Sequence, residues 1–192
     1  MCASEPLVRT VALLLLAWLA LAGQARADEA AWDALRAGRA VLLLRHATAP
    51  GLGDPAHFDL GDCTTQRNLD PRGRAQARRW GRLLRDQGIA RPRLLSSRWC
   101  RARDTAQEMG LGTVESWPAL DSFFADRSRA AVQTAQLVAA VNALMSGTVM
   151  VLVSHQVNIT ALTGVYPASG EGLILARPLR VPARVLARIA PP

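Results

Sequence analysis

The sequence predicts an α/β fold with a three-layer α/β/α architecture and a mostly parallel central sheet. Short apolar runs alternate along the chain with longer amphipathic stretches, and the clearest runs stop abruptly at polar residues. Such runs are typical of strands buried on both faces, and their alternation with helices is typical of a sheet covered on both sides. Strands are predicted at 40–45, 92–96, 112–116, 148–153, 171–176 and 184–189, and helices at 29–37, 71–87, 98–109, 128–146 and 156–163.

The first predicted strand ends at a pair of residues suited to phosphate chemistry. Val41–Leu44 is followed directly by Arg45 and His46. In open α/β sheets, ligands bind just beyond the carboxyl ends of the strands. A guanidinium binds phosphate oxygens at two points, and an imidazole can attack phosphorus. The pair alone is also compatible with a strand that simply ends at the surface.

The following helix is defined by its ends. Asp70 is a capping residue, Pro71 stands at the first helical position and Gly88 follows the last turn. Four of its arginines lie on one face, at positions 74, 78, 82 and 85. This stripe predicts a solvated helix face or, alternatively, contact with an anionic envelope surface such as lipid or lipopolysaccharide.

Two further strand ends carry the same kind of residue. The strand at 92–96 leads into Ser97, a predicted N-cap, and Arg101 lies about one turn into the next helix. The strand at 148–153 leads into His155. Because the ends of parallel strands meet at one edge, these side chains are predicted to surround one anion site.

The sequence resembles the histidine phosphatase superfamily, which is phosphoglycerate mutase-like in fold. Four segments carry the resemblance, in the family's order: Leu44–Ala47 (Arg-His-Gly in the family), Asn68–Ala77 (Leu-Thr-x-x-Gly-x-x-Gln-Ala), Ser96–Ala106 (Ser-Pro-x-x-Arg-Ala-x-x-Thr-Ala) and Val153–His155 (Val-Gly-His). One such segment is a weak signal, whereas four in order are a strong one.

The resemblance implies a mechanism. His46 is expected to be the nucleophile that becomes phosphorylated, and Arg45, Arg101 and His155 are expected to hold the phosphoryl oxygens. Water then hydrolyses the phosphohistidine. No cofactor is expected. A metal is not expected either, because the chain has only 3 histidines and lacks a Cys-x-x-Cys pair.

The sequence departs from the family's pattern at the general acid. Some members carry a carboxylate directly after the second histidine, where this chain has Gln156. Others carry it on a later loop, where Asp121 is the best candidate, either as the acid or as a turn cap. If no acid exists, substrates with good leaving groups, such as anhydrides and phosphoramidates, are favoured. Two smaller departures are Ala47 in place of Gly and Arg98 in place of Pro, which adds a guanidinium near the pocket.

The loop between the first strand and the 71–87 helix is long and polar. Loops of this kind often carry substrate contacts. Arg67 and Asn68 are predicted to set specificity or, alternatively, to build a turn, and His57 is predicted to be a surface histidine. The full predicted substrate-binding set is Arg67, Asn68, Arg98, Ser97 and Gln156.

Residues 1–27 have the pattern of a secretory signal peptide, with a basic start, an apolar centre and an Ala-Arg-Ala end. The alternative is an uncleaved anchor. The mature chain, 28–192, is predicted to be a single domain that does not span a membrane and is periplasmic or secreted. Two cysteines remain in it, Cys63 and Cys100, and export favours a disulfide between them over two unpaired thiols.

The net charge of +8 rests on 23 basic residues, all of them arginine, and favours an anionic partner. Nucleic acid is not expected, since no recognised binding motif accompanies the charge. The expected substrate is a phosphorylated small molecule or a cell-envelope phosphate. Three functions remain open: an exported phosphatase, a non-catalytic phosphate- or lipopolysaccharide-binding domain, and, least favoured, a phosphomutase.

Overall fold

A computed structural model describes residues 28–192, so the predicted signal peptide lies outside the described residues. Its centre is one sheet of six strands. The strands are β1 (Ala40–Arg45), β2 (Arg93–Ser96), β3 (Val114–Ser116), β4 (Met150–Ser154), β5 (Gly172–Ala176) and β6 (Val185–Ile189). Their order in the sheet is β3-β2-β4-β1-β5-β6. The first four are mutually parallel, whereas β5 and β6 add an antiparallel edge. The predicted α/β class with a mostly parallel sheet is confirmed.

Five α-helices accompany the sheet in the described part of the chain. They are α1 (28–36), α2 (Pro71–Asp86), α3 (Cys100–Glu108), α4 (Ala130–Ala143) and α5 (Gln156–Thr163). Two predicted boundaries were wrong by a few residues. Arg127–Arg129 forms a separate 3-10 turn before α4, and α3 is preceded by Trp99 rather than capped by the Ser97 hydroxyl.

Two apolar layers enclose the sheet. Alternate residues of β1 point to opposite faces, as the period of two along a strand requires. Leu42 and Leu44 pack with Trp80 of α2 in one layer. Val41 and Leu43 pack in the other layer, with residues of α4 and α5. The sheet is therefore covered on both faces.

The register of the parallel strands brings three chain ends to one edge. Arg45 of β1 pairs with Ser154 of β4, and Ser96 of β2 pairs with Val153 of β4. The residues that follow these strands must therefore lie side by side. This edge holds the candidate site.

The arginine stripe of α2 is partly used within the molecule. Arg74 bonds Asp104 and Glu108 of α3, and Arg78 also bonds Glu108. These pairs lower the free positive charge of the stripe, so contact with an anionic surface stays a prediction. No helix within residues 28–192 is long and apolar enough to cross a bilayer.

Candidate active site

The four residues predicted to handle phosphate lie together. Arg45, His46, Arg101 and His155 line one pocket at the carboxyl edge of the sheet. The other residues lining it are Gly51, Leu52, Gly53, Asp54, Arg67, Ser122, Phe124, Gln156, Val157 and Tyr166. The pocket thus combines imidazole and guanidinium groups, as the strand ends predict.

His46 is buried and held from both sides. Its backbone N–H donates to Ser154 O at 2.9 Å, and its carbonyl accepts from Gly170 N at 3.0 Å. Its ring Nδ1 lies 2.8 Å from Ala47 O. A carbonyl only accepts hydrogen bonds, so Nδ1 carries the proton of the neutral ring. The other nitrogen, Nε2, therefore keeps the lone pair that a nucleophile needs.

His155 is the second imidazole of the pocket, with its ring centre 5.4 Å from that of His46. Its Nε2 lies 2.8 Å from Ser97 Oγ. The same hydroxyl accepts from Trp99 N at 3.2 Å and lies 3.3 Å from Asp121 Oδ1. A carboxylate only accepts, so the Ser97 hydroxyl donates to Asp121 and accepts a hydrogen bond from His155 Nε2–H. Nδ1 of His155 is buried and has no partner in the described residues.

Both imidazoles are held neutral in this pocket. Burial, followed by the charge of Arg101, places the pKa of His46 well below its usual 6.5. The same two causes lower the pKa of His155 well below 6.5. A neutral His46 is ready to attack an electrophile without first losing a proton.

Three guanidinium groups face the pocket. Arg45 donates from Nη1 to Pro167 O at 2.9 Å, while its Nε is buried without a partner in residues 28–192. Arg101 also has a buried, unpartnered Nε among the described residues. Arg67 is held by backbone carbonyls of the preceding loop. Burial lowers the pKa of Arg67 to about 10, which still leaves it charged at neutral pH. An oxyanion would satisfy the unpaired N–H groups and offset the crowded positive charge.

Sequence comparison identifies this arrangement. Residues 41–125 match the model of the histidine phosphatase superfamily, branch 1. Over these residues, fewer than half of the 192 in the chain, the sequence is similar to the histidine phosphatase superfamily. A search of curated protein sequences gives no significant match.

Solved structures share the fold of this chain. The protein histidine phosphatase SixA complexed with tungstate is 20% identical with a TM-score of 0.55, and the alignment covers 79% of this chain and 97% of that chain. The mycobacterial glucosyl-3-phosphoglycerate phosphatase complexed with VO3 is 19% identical with a TM-score of 0.52, covering 77% and 96%. The phosphoserine phosphatase of Entamoeba histolytica complexed with 3-phosphoglyceric acid is 14% identical with a TM-score of 0.56, covering 79% and 96%. At these identities the likeness shows the fold, and it confirms the phosphoglycerate mutase-like prediction.

Asp54 is a pocket residue that the sequence analysis missed. Its two carboxylate oxygens accept from the Arg101 guanidinium at 2.6 and 3.2 Å, and it also accepts from Trp99 Nε1 at 3.0 Å. Burial raises its pKa, but the hydrogen bonds and charge of Arg101 outweigh burial, so the pKa lies below the usual 3.8. Asp54 is therefore a carboxylate at neutral pH. The sequence signal was an acidic residue in the loop that directly follows the nucleophile strand.

Asp121 is buried but does not line the pocket. Its Oδ1 accepts from the backbone of Arg98 at 2.8 Å and its Oδ2 accepts from Arg98 Nε at 2.7 Å. It also accepts from Ser97, which bonds His155. These are the contacts of a residue that fixes a loop and an imidazole. The acid role of Asp121 stays a prediction.

The predicted substrate-binding residues divide into two groups. Arg67 and Gln156 line the pocket, and Gln156 Nε2 donates to Thr160 Oγ1 at 2.8 Å. The other three lie outside its lining. Ser97 bonds His155 and Arg98 bonds Asp121, as described above. Asn68 Nδ2 donates to Cys63 O at 2.6 Å, which supports the turn role left open for it.

The predicted disulfide is present, joining Cys63 to Cys100 across 37 positions of sequence. Beside it, Cys100 N donates to Gln66 Oε1 at 2.9 Å. In the same region Phe58 stacks on Trp99 with ring centres 5.3 Å apart. These contacts attach the loop that carries Asp54 and Arg67 to the start of α3. Predicted surface residue His57, in this loop, is exposed.

The positive charge of the site comes from arginine side chains. Residues 28–192 contain no group of three or more His, Cys, Asp or Glu side chains placed to hold a metal ion. The guanidinium and imidazole groups that line this pocket belong to Arg45, Arg67, Arg101, His46 and His155.

Proposed function

We propose that this protein is a phosphatase that works through a phosphohistidine on His46 and needs no metal. One observation carries the proposal: His46, with Nδ1 bonded to Ala47 O, keeps the Nε2 lone pair in a pocket shared with Arg45, Arg101 and His155. The match of residues 41–125 to the superfamily model supports the same reaction class.

In the first step, His46 Nε2 attacks phosphorus and forms the P–N bond. The bond from phosphorus to the leaving oxygen or nitrogen breaks, and its electron pair goes to the leaving group. Arg45 and Arg101 offer unpaired N–H groups to the equatorial phosphoryl oxygens as negative charge shifts. Preorganised donors of this kind act without rearranging during the reaction.

In the second step, water attacks the phosphorus of phosphohistidine. The P–O bond forms, the P–N bond breaks, and its electron pair returns to His46 Nε2. The water gives up one proton to the lone pair of His155 Nδ1, and inorganic phosphate leaves. His155 Nδ1 has no partner among the described residues, and since Nε2 carries the proton of this neutral ring, Nδ1 can accept a hydrogen bond from the attacking water.

The pocket favours substrates with acidic leaving groups. Within residues 28–192, Asp54 is the one carboxylate that lines it, and its lowered pKa leaves no proton to donate at neutral pH. Gln156 is not an acid. Leaving groups that depart without a strong proton donor, such as those of acyl phosphates, other anhydrides and phosphoramidates, fit this set of residues.

A leaving-group series tests the proposal. The purified protein is assayed in EDTA with acetyl phosphate, phosphoramidate, 4-nitrophenyl phosphate and an alkyl phosphate, by release of inorganic phosphate. We expect rates that fall steeply as the leaving group becomes more basic, and loss of activity in His46→Ala. Fast turnover of the alkyl phosphate contradicts the leaving-group preference, and no release from any compound contradicts the phosphatase assignment.

The alternative is a non-catalytic phosphate- or lipopolysaccharide-binding domain. The absence of a protonated carboxyl group among the described residues that line the pocket favours it. Binding of tungstate without turnover of any compound in the series would select this alternative.

We also propose that the protein acts outside the cytoplasm, on a phosphorylated small molecule or envelope phosphate. The sequence of residues 1–27 and the Cys63–Cys100 disulfide support this location. Amino-terminal sequencing of protein recovered from outside the cytoplasm is expected to begin at Asp28. A chain that keeps residues 1–27 contradicts cleavage.

A further inference from the structure

The mouth of the pocket carries three exposed apolar side chains, here called the apolar rim: Leu52, Phe124 and Tyr166. Their exposed fractions are 97%, 51% and 70%. Large apolar side chains with this exposure are few in the described residues, and the other three are Val132, Met145 and Val181. Half of the set therefore lies at a single pocket, which calls for an explanation beyond chance exposure.

The rim is assembled from three separate connections. Leu52 lies between β1 and α2, Phe124 between β3 and α4, and Tyr166 between α5 and β5. A Cβ at Gly53 would lie 3.9 Å from Phe124 Cε1, so the first two connections touch. The Arg127 guanidinium lies 5.1 Å from the centre of the Phe124 ring, which supports that ring from the other side. The three side chains of the apolar rim are therefore brought together by the tertiary fold.

The rim and the deeper part of the pocket differ in chemistry. Arg45, His46 and Arg101 are buried or half-buried and suit the phosphoryl group. A leaving group attached to that phosphorus must extend toward the open side, where the rim lies. Apolar side chains at the mouth contribute binding free energy when they bury apolar surface of a ligand. A small polar leaving group offers no such surface.

We infer that the substrate carries an apolar leaving group, an acyl or aryl chain, that packs on Leu52, Phe124 and Tyr166. The protein then acts on amphiphilic phosphoryl compounds rather than on small polar ones. This inference rests on the proposed phosphatase function and names the substrate class for the same site.

Acetyl phosphate and octanoyl phosphate test the inference, since the two carboxylate leaving groups have nearly the same acidity and differ in chain length. Release of inorganic phosphate is measured below the micelle concentration and corrected for spontaneous hydrolysis. We expect kcat/KM for octanoyl phosphate to exceed that for acetyl phosphate by about tenfold or more, since one methylene in an apolar pocket is worth at least about tenfold. The triple variant Leu52→Ser, Phe124→Ser, Tyr166→Ser should bring the ratio near one.

Met145→Ser is the matched control, because Met145 is 82% exposed and does not line the pocket. The ratio of kcat/KM for octanoyl phosphate to that for acetyl phosphate should be the same in this variant as in the unchanged protein. A ratio near one in the unchanged protein, with acetyl phosphate hydrolysed, overturns the inference and leaves the phosphatase function standing. A triple variant that keeps the preference also overturns it. If neither compound is hydrolysed, the phosphatase assignment is contradicted, and the inference is overturned with it.

Discussion

Both carboxylate oxygens of Asp54 accept hydrogen bonds from the terminal nitrogens of Arg101, at 2.6 and 3.2 Å, inside the pocket that would receive a phosphoryl group. The Arg101 side chain is only 4% exposed. A carboxylate that binds both terminal nitrogens of the guanidinium holds Arg101 in place and reduces the net charge of the site, while the Arg101 Nε stays without a partner among the described residues. A buried arginine without this partner would be left with an uncompensated charge.

Asp54→Asn is therefore expected to lower the free energy of unfolding at pH 7 by about 2 kcal/mol or more. The pKa of Asp54 is below 3.8 in the folded protein, so its contribution is complete above the unfolded value and is lost as pH falls through the folded value. Urea unfolding at a series of pH values checks this. A difference between the two proteins that persists unchanged far below pH 3.8 contradicts the ion-pair account.

His46 is expected to remain neutral in the free protein through pH 6.5. Burial and then Arg101 lower its pKa, so protonation begins only in more acidic solution. Nitrogen-detected NMR titration of the imidazole measures this directly, and His46→Ala identifies the signal. Titration of His46 at 6.5 or higher would show that the imidazole is protonated where a nucleophile must be neutral.

Asp121→Asn separates a positioning residue from a general acid. If Asp121 acts through Ser97 on His155, kcat/KM falls by the same factor, on the order of tenfold, for substrates with acidic and basic leaving groups. Ser97→Ala should give a similar loss, and combining the two should add little. A loss that grows steadily with leaving-group basicity would assign Asp121 as the acid instead.

Removal of the disulfide tests how the substrate loop is held. Cys63→Ala combined with Cys100→Ala opens a loop of 37 positions and is expected to cost roughly 3–4 kcal/mol of unfolding free energy. Limited proteolysis should then cut the 49–68 loop faster than in the parent protein. If the two proteins are equally stable and are cut at the same rate, the remaining contacts of this loop hold it in place without the disulfide.

The sheet and the four phosphate-handling residues were predictable from sequence for a specific physical reason. Apolar runs identify buried parallel strands, and the ends of such strands meet at one edge, which places Arg45, His46 and His155 together. Arg101 was predictable because it lies about one helical turn into the helix that follows the predicted strand at 92–96.

Contacts made by the loop were not predictable in the same way. Asp54 meets Arg101 across 47 positions, and the meeting depends on the path of an irregular loop that no periodic pattern encodes. Ser97 was assigned to a helix cap because the pattern is local, whereas its hydroxyl bonds His155, which lies 58 positions away. The exposure of Leu52 and Tyr166 at one pocket depends on the same long-range placement.

Trapping the covalent intermediate tests the central claim most directly. The protein is mixed with radiolabelled acetyl phosphate, quenched in alkali within milliseconds to preserve phosphohistidine, digested and sequenced by mass spectrometry. We predict one acid-labile phosphoryl group on the peptide that contains His46, at its imidazole, and none in His46→Ala. Phosphate on any other residue, or full turnover by His46→Ala, would contradict the account.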